Sequence, residues 1–377
     1  MIRILTIIGA RPQIIKSAAI NRAISNSFSQ EIEEIIVHTG QHYDSNMSAI
    51  FFDELNIPTP NYNLNVGSGS HASQTGLMLE GLEKVMITVK PDYVLVYGDT
   101  NSTLAGALAA SKVHIPVVHV EAGLRSFNKT MPEEINRIVC DHASTLLFTP
   151  TIQGYNNLLS EGFQINSGPH TIDRPGVFQC GDVMYDNSKY FADLAAKKSR
   201  IIEKLDVVKG DFILATIHRA DNTDDPNKLR DIFRAFIEIV SMSSSIIILP
   251  LHPRTLKKLE AIQSVELQRI RADAKIILID PVSFLDMIEL ETNCSMVITD
   301  SGGVQKEAYF FGKPCIILRT ETEWIEIINT GSAILTGSSF DQIVNGYSLL
   351  KKQTFLYPEI FGDGRAAEFI CEKILQS

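Results

Sequence analysis

Short runs of β-branched residues alternate with longer helical patterns along the whole of this chain. Residues 2–8, 34–38, 93–97, 117–120 and 146–149 form a first series of such runs. Residues 212–217, 246–251, 276–279, 296–299 and 315–318 form a second. Strands separated by ten or more helical residues must be joined as βαβ units, which places them parallel with helices on both faces of the sheet. The pattern predicts an α/β protein of two Rossmann-like, doubly wound domains, and 377 residues are enough for two cores. A Gly- and Pro-containing stretch, 168–186, marks the boundary. One domain is expected over 1–175, completed by a terminal helix within 362–377, and the other over 176–361. Residues 58–73, rich in Pro, Gly, Asn and Ser, read as a long loop. No internal repeat or low-complexity segment interrupts the pattern.

Composition narrows the partners. The formal net charge of −10 argues against a nucleic-acid partner, and any anionic ligand must be held by local donors. The five cysteines, Cys140, Cys180, Cys294, Cys315 and Cys371, are odd in number and show no CxxC spacing, as expected in a reducing cytoplasm. No apolar run approaches the length of a membrane span, so no membrane partner is expected. The apolar start, 1–8, runs directly into Gly9-Ala10-Arg11-Pro12 without a cleavage pattern and reads as the first strand. Asp99 with Glu121 can hold a magnesium ion. No HxxxH, CxxC or calcium-loop spacing is present, however, and no metal is expected.

Carboxylates at strand ends carry the functional signal. The strand 93–97 runs into Gly98-Asp99, and 117–120 runs into Glu121. In a parallel sheet the C-terminal strand ends form the ligand rim, so Asp99 and Glu121 are expected to face one crevice, with Glu133 and Glu134 close behind. Such a cluster suggests proton transfer. Acids in the first turn after Pro132 also simply suit the helix dipole, and Arg137 one turn later can orient them. Arg11 and Lys16, at the first strand-to-helix turn, can hold a diphosphate, although a surface Arg at a plain turn reads the same way. Ser301-Gly302-Gly303 follows another strand and opens a helix, where backbone N–H groups can cradle a phosphate. Glu307, four residues on, can accept hydrogen bonds from ribose hydroxyls. His218, beside Arg219, ends the first strand of the second series and suits a leaving-group role. His252 repeats that idea more weakly. His38, His42 and His119 read as structural.

Together the stretches GARPQIIK, TGQHYD, VYGDTNSTLAG, HVEAGLRS, MPEEINR, GDVMYDN, TIHRADN, LHPRT, TDSGGVQKEA and FGDGRAAE resemble the non-hydrolysing UDP-N-acetylglucosamine 2-epimerase family. They span nearly the whole chain in order. The resemblance implies a GT-B-like fold with the active site between two Rossmann-like domains, a C-terminal helix packed on the first, and a cytoplasmic homodimer. It implies conversion of UDP-GlcNAc to UDP-ManNAc by elimination of UDP to a bound glycal and re-addition, for surface polysaccharide synthesis, with no cofactor. Asp99, Glu121 and Glu133 match the family's catalytic carboxylates and His218 its cleft histidine. Arg11, Lys16, Ser301, Gly302, Gly303 and Glu307 match its nucleotide positions. Arg137 and His252 are also expected to bind the substrate.

Three departures stand out: Gln13 where many members carry Glu, Asp221 in the HRxEN pattern, and no Arg in the loop that binds an activating second UDP-sugar in many bacterial members. That loop is compatible with a related branch acting on UDP-2,3-diacetamido-glucuronic acid. A hydrolysing epimerase releasing N-acetylmannosamine, a GT-B glycosyltransferase and a nucleotide-sugar sensor are the rival readings.

Overall fold

The computed structural model describes residues 1–41, 57–251, 255–256 and 265–377. His42, His252 and most of the stretch after Gln41 lie outside these residues. The chain divides into two compact units, residues 1–187 with 359–377, and residues 188–358.

The first unit is built on seven strands: β1 Ile2–Ile8, β2 Ile32–His38, β3 Tyr62–Asn63, β4 Tyr93–Tyr97, β5 Val117–Val120, β6 Leu146–Thr149 and β7 Gly176–Gln179. They lie in the order β3-β2-β1-β4-β5-β6-β7. Every pairing is parallel. The order reverses between β1 and β4, which is where a doubly wound sheet opens its ligand crevice. Val94, Leu95, Val96 and Tyr97 of β4 are all 0 % exposed, so this strand is covered on both faces and reads as an unbroken apolar run. The helix Asn101–Lys112 that follows it lies close against the sheet. A Cβ on its Gly106 would fall 2.7 Å from Ile7 Cδ1 and 3.0 Å from Val96 Cγ1, so a larger residue here would have to displace those side chains.

The second unit has six strands: β8 Phe212–Thr216, β9 Ile246–Pro250, β10 Ile276–Ile279, β11 Met296–Thr299, β12 Cys315–Ile317 and β13 Ala333–Leu335. Their order is β10-β9-β8-β11-β12-β13, again entirely parallel. The amphipathic helix Pro226–Ser241 buries Leu229, Ile232, Phe233, Phe236 and Ile239 against this sheet.

The two doubly wound sheets are the architecture expected from the sequence. Three elements differ. The stretch read as one long loop contains β3, and from His71 it is already helical, with Ser70 Oγ capping the amide of Ser73. The strand β7 pairs with β6, so the first sheet extends past residue 175. The strand β13 is only three residues long and gives almost no periodic signal.

The C-terminal helix Ala366–Leu375 belongs to the first unit and packs on the helix Arg11–Ala23. Its Ile370, Cys371 and Ile374 are 0 % exposed. Asp186 caps it from a distance in sequence, accepting the amides of Ala366 and Ala367 at 3.2 and 2.8 Å. All five cysteines are free, and burial pushes the Cys294 and Cys371 thiols up to about 12. Among the described residues no helix is long and apolar enough to cross a membrane.

Candidate active site

Two polar clusters stand at strand C-terminal ends, one in each unit. In the first unit β4 and β5 are neighbours in register, and the turns that follow them carry Asp99 and Glu121. Both turns need unusual backbone. Gly98 has φ +63° and Glu121 itself has φ +73°, a conformation that L side chains rarely adopt. Lys16, from the helix Arg11–Ala23, forms an ion pair with Glu121. A Cβ on Gly98 would fall 3.1 Å from Glu121 Oε2 and 3.2 Å from Lys16 Nζ, so the glycine makes room for this pair. Arg11 is the first residue of that helix and is exposed.

Arg137 gathers the remaining acids. It donates to Asp99 Oδ2 at 2.6 Å and to Glu134 Oε2 at 2.9 Å. Glu134 is buried and also accepts the amides of Ser126 and Phe127, each at 2.9 Å. Burial opposes its ionisation, but these amides and Arg137 together hold its carboxyl below the usual range. The glutamate that Arg137 orients is therefore Glu134. Glu133, its neighbour in the first turn of the helix Pro132–His142, is exposed.

Behind these groups lies a layer that the sequence motifs did not single out. His119, fully buried, places Nδ1 2.7 Å from Asp141 Oδ1 and Nε2 2.8 Å from the carbonyl of Gly98. Asp141 Oδ2 accepts the amide of Gly123 at 3.1 Å and pairs with Arg125 Nη1 at 2.7 Å. Arg125 also makes a two-pronged bond to Glu161, both contacts at 2.7 Å. One buried network thus ties the turn after β4 to the turn after β5. His119 is structural, as its sequence context suggested. Arg125 lies within the HVEAGLRS stretch, but nothing in the sequence shows that it pairs with Asp141.

Gln13 explains its own departure from Glu. Its Oε1 accepts the amides of Gly9 and Ala10 at 2.9 and 3.1 Å, and its Nε2 donates to the Tyr97 carbonyl and Thr103 Oγ1 at 3.1 and 3.0 Å. The buried side chain must both accept and donate, which an ionised carboxylate cannot do.

In the second unit Asp300, 0 % exposed, organises the turn after β8. It accepts the amides of His218 and Arg219 and the side-chain amide of Asn222, each at 3.1 Å, and lies 3.2 Å from His218 Nδ1. The imidazole, with its side chain 56 % exposed, is thus held by a carboxylate at one nitrogen. Ser301 caps the helix Gly302–Phe310 through the amide of Val304. A Cβ on Gly303 would meet no atom nearer than 3.9 Å, so the helix start is open there. At Gly302 a Cβ would fall 2.6 Å from Glu323 Oε1, whose carboxylate pairs with Arg319 at 2.9 Å. Burial opposes the ionisation of Glu323, and the guanidiniums of Arg319 and Arg219 hold its carboxyl below the usual range. Glu307 lies further along the same helix, half-buried beside Glu291, whose carboxyl burial and the Glu307 charge push well up. Asp300, Arg319 and Glu323 were not singled out from the sequence, because their pairing exists only in the fold. Among the described residues no three His, Cys, Asp or Glu side chains are grouped as a metal site.

Comparison with known proteins shows the family. The sequence profile of a family described as UDP-N-acetylglucosamine 2-epimerase matches residues 25–375. A UDP-N-acetylglucosamine 2-epimerase homolog of Methanococcus maripaludis is 51 % identical over 98 % of both chains. The UDP-2,3-diacetamido-2,3-dideoxy-D-glucuronate 2-epimerase of Pseudomonas aeruginosa is 47 % identical, also over 98 % of both. The crystal structure of the Methanocaldococcus jannaschii UDP-GlcNAc 2-epimerase in complex with UDP-GlcNAc and UDP superposes with a TM-score of 0.85 at 40 % identity, covering 100 % of both chains. With a profile match over nearly its whole length and relatives this similar, the chain belongs to the UDP-N-acetylglucosamine 2-epimerase family.

Proposed function

We propose that this protein inverts C2 of UDP-N-acetylglucosamine, giving UDP-N-acetylmannosamine, by eliminating and re-adding UDP. The observation that carries the reading is the placement of Asp99 and Glu121 at the ends of adjacent parallel strands, each beside a fixed cation. The C2 proton of this sugar is not next to a carbonyl, so its direct removal is difficult. Loss of UDP from C1 with the C2 proton leaves a glycal, and UDP returns to C1 as a proton is delivered to the opposite face of C2. The sequence is redox-neutral and needs only acids, bases and stabilised charge.

Asp99, Glu121 and Glu133 are assigned the proton transfers. Arg137 and Lys16 position the first two. His218, held by Asp300, is assigned to the departing diphosphate, with Arg11 and the open helix start at Ser301, Gly302 and Gly303. Glu307 is assigned to the ribose hydroxyls. The protein is further proposed to act as a cytoplasmic homodimer that supplies surface polysaccharide synthesis.

Turnover in deuterated water tests the route. The epimerised sugar is expected to carry deuterium at C2, and unlabelled product would overturn elimination. A second reading, action on UDP-2,3-diacetamido-glucuronic acid, is favoured by the 47 % identity to an enzyme named for that sugar, against 42 % to the Methanocaldococcus jannaschii UDP-N-acetylglucosamine 2-epimerase. Incubation with each sugar and identification of products by NMR separates the two, and also reveals any free N-acetylmannosamine from hydrolysis.

A further inference from the structure

Phe127 is placed where folding alone gives it no reason to be. Its φ is +56°, in the left-handed region that disfavours bulky side chains, and it is 76 % exposed. A glycine would adopt this backbone without strain, and a polar residue would suit the solvent. Nothing in burial offsets the unfavourable conformation.

The loop is nevertheless held firmly. The amides of Ser126 and Phe127 both donate to Glu134, Glu134 accepts from Arg137, and Arg137 donates to Asp99. The backbone at Phe127 is therefore held in place, between Glu121 and Glu133 in sequence and linked through Glu134 and Arg137 to Asp99. Strain kept in a clamped, solvent-exposed position points to a ligand contact.

We infer that Phe127 is a specificity-determining residue whose ring packs on the C–H face and acetamido methyl of the sugar carried by the UDP. This rests on the functional reading above, which assigns the flanking carboxylates to sugar chemistry. An aromatic face offers no hydrogen bond to a hydroxyl or amine, but it gains from covering a methyl group and a pyranose face. It therefore selects N-acetylated sugars, and a second acetamido group on C3 extends the contact. The ribose and diphosphate are assigned to other groups, so UDP alone does not use the ring.

The test compares wild type with Phe127→Gly and Phe127→Tyr. Titration calorimetry with UDP and with UDP-GlcNAc is combined with steady-state kinetics and thermal melts. Phe127→Gly is expected to melt no lower than wild type, to bind UDP normally, and to raise KM for UDP-GlcNAc about three- to tenfold, the range of an aromatic contact. Its kcat should change little, and Phe127→Tyr should restore KM. Wild-type turnover with an unchanged KM in Phe127→Gly would overturn the inference alone. A matching loss of UDP affinity would do the same, by showing a general disturbance of the site. A wild type that epimerises no UDP-sugar would overturn the functional reading and this inference together.

Discussion

At the scale of single residues, the proposal divides the polar groups into those that move protons and those that hold the nucleotide. Asp99→Asn, Glu121→Gln and Glu133→Gln should each lower kcat about a hundredfold or more, the usual loss for a removed acid or base, while sparing UDP affinity. Arg11→Ala and Glu307→Ala should instead weaken UDP binding. Near-normal turnover in the first three, or unchanged UDP affinity in the last two, would reverse the assignment, and calorimetry beside steady-state kinetics reads both. Gln13 gives a prediction about stability. Gln13→Glu replaces its buried donor with a carboxylate facing the Tyr97 carbonyl. A buried group left unsatisfied costs on the order of 1–3 kcal/mol, so the variant should unfold at lower urea concentration. A midpoint equal to wild type would show that the site takes up a proton or a rearranged partner instead. Asp99 and Glu121 were legible in the sequence because each follows an apolar run and a parallel sheet puts ligands at that edge. Arg125, Asp141, Asp300 and Glu323 were not, because their partners are remote in sequence or no local pattern encodes the pairing.

At the scale of elements, the strands that are fully covered, such as β5, β6 and β11, were read from their apolar runs with the observed bounds. The strands missed were β3, β7 and β13, of two to four residues, which exist because a neighbouring strand offers a parallel edge. Two residues in β3 are too few for any pattern, and β7 and β13 carry only two large apolar residues each, against three or four in the four-residue strands that were read. The terminal helix was legible as a helix, but its cap was not, since Asp186 lies far away in the chain. Burial raises the Asp186 carboxyl to about 6, with Glu368 and Asp182 adding to the effect and the two capped amides opposing it. Its folded value thus exceeds the unfolded value near 3.9, and between these pH values the folded state binds the extra proton. This group's contribution to stability should therefore rise as pH falls from about 6 to about 4, by on the order of 2–3 kcal/mol. Asp186→Asn should flatten that part of the stability–pH curve. A curve of unchanged shape would show that Asp186 does not titrate in this range.

At the scale of the whole molecule, the net charge of −10 leaves anionic ligands dependent on local cations. The described part of the loop before the helix His71–Val89, residues 57–70, contains no Arg or Lys. A second, activating UDP-sugar is a polyanion and would need such a clamp. Initial rates are therefore expected to depend hyperbolically on substrate, and the reverse reaction to run without added UDP-GlcNAc. A sigmoidal curve, or a silent reverse reaction, would show that other cations replace the missing one. The discontinuous first unit has a further consequence, for biosynthesis. Its last helix follows the entire second unit in the chain. At roughly 5–20 residues per second, the ribosome delivers that helix about 10–35 s after residue 187 has been made. Until then the face of Arg11–Ala23 that it covers stands open on the nascent chain, a natural site for chaperone capture. A message cut short anywhere in the second half would damage the first fold as well as the second.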